Sequence, residues 1–159
     1  METDVYKTIA ASSEGIYKEK GSRFISLAYP VVTEDEIREI VSRLKEKYYD
    51  ARHHCYAWRL GAAKTHFRAN DDGEPSSTAG KPILGQIQSN DLTNILIVVV
   101  RYFGGIKLGV SGLINAYREA AADAIANAEI IEKTVDEQLR IQFSYLAMND
   151  VMKIVKEIS

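Results

Sequence analysis

The stretch Ile95–Gly112, ILIVVVRYFGGIKLGVSG, carries the strongest structural signal in the chain. Its first part, Ile95 to Phe103, is apolar at almost every position, which is typical of a strand buried on both faces. Gly104 and Gly105 interrupt that strand. From Val110 to Ala128, apolar residues recur at helical spacing on one face. The pattern therefore predicts a buried strand, a glycine turn and a long helix.

Shorter elements surround this unit on both sides. The predicted strands are Val5–Ile9, Gly15–Lys18, Ser22–Val32, His53–Leu60 and, by its alternating pattern, Thr134–Tyr145. Thr33 and Glu36 form a capping box at the start of a helix that ends near Tyr48. Pro82–Ser89 and Asn149–Ile158 predict two short helices. This mixture of elements predicts an α+β protein.

Composition excludes several classes of protein. Apolar residues make up 46% of the 159 residues, which is enough for a packed core. The single cysteine, Cys55, allows no internal disulfide and favours a reducing compartment. The longest apolar run, Ile95–Val100, is far short of the roughly 20 residues that span a bilayer. Residues 1–9 also lack the apolar core of a signal peptide, so we expect a soluble cytoplasmic protein without a membrane partner.

The glycine junction is the strongest candidate for a binding site. Backbone amides at the start of a helix attract anions, glycines let a ligand approach closely, and Arg101 and Lys107 add positive charge. The net charge of −2 argues against general polyanion binding, but basic residues outnumber acidic ones from Gly61 to Arg118. Val110 stands where a phosphate-binding loop needs lysine. Three interpretations of this junction are compatible with the sequence. It is a tight turn without a ligand, a phosphate or RNA-backbone site, or a protein-partner surface.

The His53-His54-Cys55 segment is a second candidate. Alternate residues of a strand share a face, so His53 and Cys55 point the same way. With acidic residues between Asp71 and Glu74 downstream, a metal site is conceivable. The alternative is a buried Cys55 beside a histidine that is hydrogen-bonded in or near the core. A lone cysteine and the lack of a paired histidine motif favour the alternative, so we expect no metal.

The loop from Asp71 to Gly80 is a third candidate. Asp72-Gly73 is a turn signal, and Ser76, Ser77 and Thr78 can cap the helix that follows. Asp72 and Glu74 are also suited to acid and base roles, and Ser76 would be a nucleophile if a histidine lay within reach. Turn-making, catalysis and a recognition loop formed by Asp72, Glu74, Ser76 and Thr78 are all compatible with the sequence.

Four blocks of the sequence resemble the YigZ/IMPACT family over roughly residues 12–131. The blocks are Ser22–Ile25, His54–Arg59, Asp71–Ser76 with Thr78–Leu84, and Arg101–Gly105 with Leu108 and Gly109. Two positions depart from the family pattern. Ser77 stands where a glycine is expected, and Asn115 replaces an arginine that is common in bacterial members.

The resemblance implies a particular architecture. Residues 1–131 would form an α+β domain like domain IV of elongation factor G and related ribosomal-protein folds. That domain is a two-layer arrangement of a mainly antiparallel sheet with helices on one face. Residues 132–159 would be a partial ferredoxin-like unit like domain V of the same factor. The apolar residues of such a partial unit need cover, so we expect its strand and helix to project or to mediate homo-oligomer formation.

The resemblance also implies a translation-linked role, since the eukaryotic members regulate translation under amino-acid starvation. We expect a non-enzymatic protein, without a cofactor, that contacts RNA, the ribosome or a translation-control protein. The expected contact residues are Arg59, Lys81, Arg101, Gly104, Gly105, Lys107, Gly109 and Arg118. The alternative is a small hydrolase or transferase that uses His54, Asp72, Glu74 and Ser76.

Overall fold

The computed structural model describes residues 5–136 of the chain as seven strands and three helices. In chain order they are β1 (Val5–Ile9), β2 (Ser13–Glu19), β3 (Ser22–Pro30), α1 (Glu34–Lys47), β4 (His53–Leu60), β5 (His66–Asn70), α2 (Gly80–Ser89), β6 (Ile95–Tyr102), α3 (Gly109–Ala126) and β7 (Ile130–Thr134). The expectations for residues 137–159, including most of the predicted second domain and its role in oligomer formation, lie outside the described residues.

The main sheet has five antiparallel strands in the order β2-β3-β6-β4-β5. Strand β6 lies at its centre, between β3 and β4, and the side chains from Ile95 to Val100 are fully buried. The predicted strand with two buried faces is therefore confirmed, as are the α+β class and the antiparallel sheet.

The helices lie on both faces of this sheet, which corrects the expected two-layer arrangement. One apolar core joins α2 and α3 to Ile95, Ile97 and Val99, and the other joins α1 to Leu96 and Val98. Neighbouring side chains of a strand point to opposite faces. A central strand that is apolar at every position therefore needs a helical layer on each side, and the fold has three layers.

Local sequence patterns explain why α1 begins where it does and why the sequence does not predict strand β5. Glu36 N–H donates to Thr33 Oγ1 at 3.2 Å, as a capping box predicts. The carboxylate of Glu36 accepts at 2.9 Å from Val32 N–H, one residue before the Thr33 N–H of the standard capping box. Strand β5 was not predicted from sequence. It is a short strand at the sheet edge, and its residues from His66 to Ala69 are exposed, so it lacks a marked apolar alternation.

The two ends of the described chain meet in a separate two-stranded sheet. Strands β1 and β7 pair antiparallel, with Val5 opposite Thr134 and Ile9 opposite Ile130. The expected domain boundary after residue 131 falls within β7, and the division into two domains stays a prediction. In the part of the chain that the structure describes, no helix is long and apolar enough to cross a membrane.

Candidate functional site

A cleft of about 420 Å³ opens where β4 begins, where the loop before α2 turns, and where β6 passes into α3. We call it the glycine-loop cleft. It is lined by Arg52, His53, Glu74, Pro75, Arg101, Phe103, residues 107–110 and Leu113. The pairing of His53 with Arg101 on adjacent strands brings the first of these elements to the last. The cleft thus combines parts of all three candidate segments.

A buried ion pair forms the floor of the cleft. Arg101 Nη1 donates to both carboxylate oxygens of Glu74, at 2.9 and 2.8 Å, and the two side chains are 8% and 3% exposed. Tyr117 Oη donates a further hydrogen bond of 2.5 Å to Glu74 Oε2. Removing either partner of such a pair would leave an uncompensated buried charge. Arg101 and Glu74 are therefore structural residues of this site.

His53 and Cys55 share one face of β4, as predicted, and the structure shows that this face packs toward α3. His53 Nδ1 lies 2.8 Å from the carbonyl oxygen of Asp72, and its Nε2 lies 3.4 Å from Glu74 Oε1. Cys55 is fully buried and contacts the carbonyl oxygen of Asp71 at 3.1 Å. Burial raises the pKa of the Cys55 thiol and that of Tyr117. A protonated, enclosed thiol is a poor nucleophile and a poor metal ligand.

The loop before α2 is closed by its own hydrogen bonds. The carboxylate of Asp71 accepts from the N–H groups of Ser77, Ala79 and Gly80 at 2.9, 3.2 and 2.8 Å. Thr78 is buried, and its Oγ1 donates to the carbonyl oxygen of Pro75. Asp71 therefore supplies the acceptor at the start of α2, which corrects the expectation that residues 76–78 cap this helix. A carboxylate satisfies the helix amides better because it carries a full charge.

The residues of the hydrolase alternative do not assemble into a catalytic group. His54 points to the α1 face of the sheet, where its Nε2 lies 2.7 Å from the carbonyl oxygen of Tyr48. Its Nδ1 is 3.7 Å from Asp72 Oδ2, while Glu74 is committed to Arg101. Ser76 is exposed and makes no hydrogen bond to His54 among the described residues. Within residues 5–136, no three metal-ligating side chains come together.

The glycines of the β6–α3 junction have different roles. A Cβ on Gly104 would lie 2.1 Å from the carbonyl carbon of Gly21, so the β2–β3 turn and this junction touch backbone to backbone. Gly105 and Gly109 have φ of 90° and 73°, a region that favours glycine. Gly104 is therefore required for packing, whereas Gly105 and Gly109 shape an open loop.

That open loop exposes the first turn of α3. No side chain within the described residues caps this turn, and it contains no acidic residue. Lys107 is exposed beside it, and Arg52 lies across the cleft with its guanidinium carbon 4.6 Å from the centre of the Phe103 ring. Arg101 Nε is buried without a hydrogen-bond partner in residues 5–136. The cleft therefore combines hydrogen-bond donors that have no acceptor in the described residues with positively charged side chains.

Three of the expected contact residues lie away from the cleft. Arg59 is buried opposite Ile95, at the far end of β4 from His53, and its Nε donates to the carbonyl oxygen of Leu92 at 2.8 Å. Burial lowers the pKa of Arg59. Lys81 is exposed in the first turn of α2, and Arg118 contacts Asn115 on α3. Arg59 therefore does not share a surface with Lys107, which corrects that grouping.

Three cleft residues, Arg52, His53 and Phe103, were not among the expected contact residues. Arg52 directly precedes β4 and Phe103 directly follows β6. The strand register sets Arg101 beside His53, and this long-range pairing cannot be derived from either segment alone. One feature of the sequence could have indicated these residues: each lies at or next to the end of a predicted strand, where side chains of neighbouring strands meet.

Comparison with known proteins decides the family. Residues 20–125 match the Impact N-terminal domain. The chain belongs to the IMPACT family. IMPACT family member YvyE of Bacillus subtilis is 34% identical over 152 residues, which cover 96% of this chain and 70% of YvyE. IMPACT family member YigZ of Escherichia coli is 38% identical over 128 residues, or 79% of this chain and 63% of YigZ.

The fold of this chain is also found in a solved structure. A crystal structure of a hypothetical protein superposes with a TM-score of 0.80 at 36% identity, covering 83% of this chain and 65% of that protein. The chain therefore spans about two thirds of the length of these IMPACT relatives and of this structural neighbour.

Proposed function

We propose that this chain is a non-enzymatic, cytoplasmic, translation-associated protein that contacts RNA or the ribosome through the rim of the glycine-loop cleft. Family membership supports the translation link, because the resemblance to the IMPACT family implies such a role. The open loop at the start of α3 supports the location, because backbone amides and cations are the groups that position nucleic-acid phosphates.

The charge balance of the cleft is the observation that carries the proposal. Arg52 and Lys107 are exposed at the rim, and neither forms an ion pair with any side chain in residues 5–136. Among residues 5–136, Glu74 is the one carboxylate that lines the cleft, and Arg101 neutralises it. The rim therefore presents two positive charges that the described protein does not satisfy. Such charges are suited to phosphate contacts whose strength depends on salt.

The experiment is co-sedimentation with ribosomes and binding to a single-stranded RNA, each over a range of salt concentrations. Arg52→Ala and Lys107→Ala should each weaken binding to all RNA sequences alike. Each should also flatten the plot of log affinity against log salt by about 0.7, the value for one phosphate contact on a single strand. Lys45→Ala on α1 is the matched control, because Lys45 is exposed on the opposite face.

A protein partner is the second candidate, and the exposed apolar residues of the same loop favour it. Ile106 and Val110 are 53% and 58% exposed and flank Lys107. Exposed apolar side chains that lie close together on a surface are typical of protein-interaction sites. If the folded protein shows no salt-sensitive binding to ribosomes or RNA, a translation-control protein becomes the better assignment for this surface.

A further inference from the structure

We propose that the interior of the glycine-loop cleft binds a terminal phosphate monoester, carried by a mononucleotide or by the 5′ end of an RNA. The inference rests on the proposed function, because both place a phosphate in the same cleft. It adds a specific ligand class, since a terminal phosphate has about two negative charges at neutral pH whereas an internal phosphodiester has one.

The start of α3 supplies the first argument. Gly109 and Val110 line the cleft and belong to the first turn of this 18-residue helix. That turn has neither a side-chain cap in the described chain nor an acidic residue. The first amides of a helix need acceptors, and an anion is the preferred one. At the start of α2, on the same face of the sheet, Asp71 already provides that anion.

Arg101 supplies a second and independent argument. Its side chain lines the cleft and is only 8% exposed, and Nη1 is the atom that reaches Glu74. Its Nε is buried and has no acceptor within the described residues. A buried donor without an acceptor is costly. Nε itself has no exposed surface, so a phosphate oxygen in the cleft would become its acceptor through a small shift of the Arg101 side chain, which lines the cleft wall.

Charge and size define the ligand class. Within the described residues the cleft is lined by the cations Arg52, Arg101 and Lys107 and by one carboxylate, that of Glu74. The lining therefore has two positive charges in excess, which match a terminal phosphate. The volume of about 420 Å³ lies within the roughly 300–1,000 Å³ that small-molecule sites occupy. Pro75, Phe103 and Leu108 add apolar walls for a sugar or a base. A nucleoside 5′-monophosphate has the matching combination of groups.

The test is a titration of the ¹⁵N-labelled full chain with adenosine 5′-monophosphate, followed by amide chemical shifts. Amides of Gly105, Lys107, Gly109 and Val110 should shift and saturate. Adenosine without a phosphate should leave them in place, and inorganic phosphate should shift the amides of α3 at higher concentration. A 5′-phosphorylated oligoribonucleotide should bind more tightly than the same oligonucleotide with a 5′-hydroxyl, and adenosine 5′-monophosphate should compete with it.

Two variants identify the site. Ser111→Glu places a carboxylate in the first turn of α3, where it satisfies the amides that the phosphate would use, and Ser111 is exposed. This variant should fold with an undiminished melting temperature and lose about tenfold or more in affinity for adenosine 5′-monophosphate. Ser42→Glu, which makes the same change on an exposed position of α1, should retain the affinity of the parent chain.

The outcomes separate this inference from the proposed function. Equal binding of the 5′-phosphate and 5′-hydroxyl oligonucleotides, with no saturable response to adenosine 5′-monophosphate, would overturn the inference and leave salt-dependent RNA binding intact. An equal loss of affinity in Ser111→Glu and Ser42→Glu would also overturn it. Saturable nucleotide binding in a chain that binds neither RNA nor ribosomes would support the phosphate site and contradict the proposed function.

Discussion

The first turns of α2 and α3 differ in how their amides are satisfied. Both helices lie on the same face of the main sheet and follow glycine-containing loops. The start of α2 is closed by the carboxylate of Asp71, whereas the start of α3 has no such group in the described residues. One helix end is therefore complete within the fold, and the other offers donors to a ligand. A single upstream aspartate makes this difference.

The largest effect is expected where the closed loop is tied to β6. Glu74→Ala would leave Arg101 as an unpaired buried cation, which typically costs about 3–5 kcal/mol of stability. Chemical denaturation of the variant and of the parent chain measures this difference. The loss should be accompanied by a change in the environment of Tyr117, which donates to the same carboxylate.

A double variant distinguishes the ion pair from the space that it fills. In Glu74→Leu with Arg101→Met, no buried charge remains, so the free energy of unfolding should exceed that of Glu74→Ala. A double variant that is less stable than Glu74→Ala would show that the shape of the two side chains matters more than their charges.

A smaller effect is expected at the closed helix end. Asp71→Ala removes the acceptor for three N–H groups and should lower the free energy of unfolding by about 2 kcal/mol. Hydrogen exchange at Ala79 and Gly80 should become faster in this variant. If Asp71→Ala unfolds at the same denaturant concentration as the parent chain, Asp71 does not stabilise the start of α2, and the proposed difference between the first turns of α2 and α3 is wrong.

The pH dependence of stability tests the burial of Cys55 next to the Asp71–Gly80 loop. Burial raises the pKa of Cys55 above its ordinary value of 9.0, so the folded chain keeps a proton that the unfolded chain releases. The stabilisation is complete below about pH 9 and is lost as the pH rises further, by about 1.4 kcal/mol per pH unit for one group. Denaturation of Cys55→Ala between pH 8 and 10 should show a shallower decline than the parent chain.

The smallest effect is expected at the open end. Ser111→Glu adds a carboxylate to the uncapped first turn of α3 and should raise the free energy of unfolding by about 0.3–1 kcal/mol. The gain should shrink at high salt, because it is electrostatic. No gain at low salt would mean that the first amides of α3 already have an acceptor.

Local sequence patterns predicted the elements better than their arrangement. The capping box at Thr33, the buried strand from Ile95 and the shared face of His53 and Cys55 all follow from spacing within a few residues. The position of α1 on the second face does not, because either face of β6 can accept an amphipathic helix. Only the path of the chain after Pro30 decides between them.

The candidate site was predictable in outline. The glycine junction and the Asp71–Gly80 loop were identified as separate features, and the register of β4 on β6 joins them. That register determines that Arg101 pairs with Glu74. It also places Arg59 at the far end of β4, away from the cleft. The sequence therefore identified the charged residues of the site, but it did not predict their contacts, because strand pairing between distant parts of the chain determines them.

The central position of β6 has a consequence for biosynthesis. In the main sheet β6 is the last strand to be made, and it pairs with two strands that do not pair with each other. Until it emerges, the chain can form only the separate hairpins β2–β3 and β4–β5, which are marginal alone. A nascent chain halted before Ile95 would expose the apolar inner edges of both hairpins to aggregation or to chaperones. The main sheet can therefore be completed only after β6 has been made and has paired with both β3 and β4.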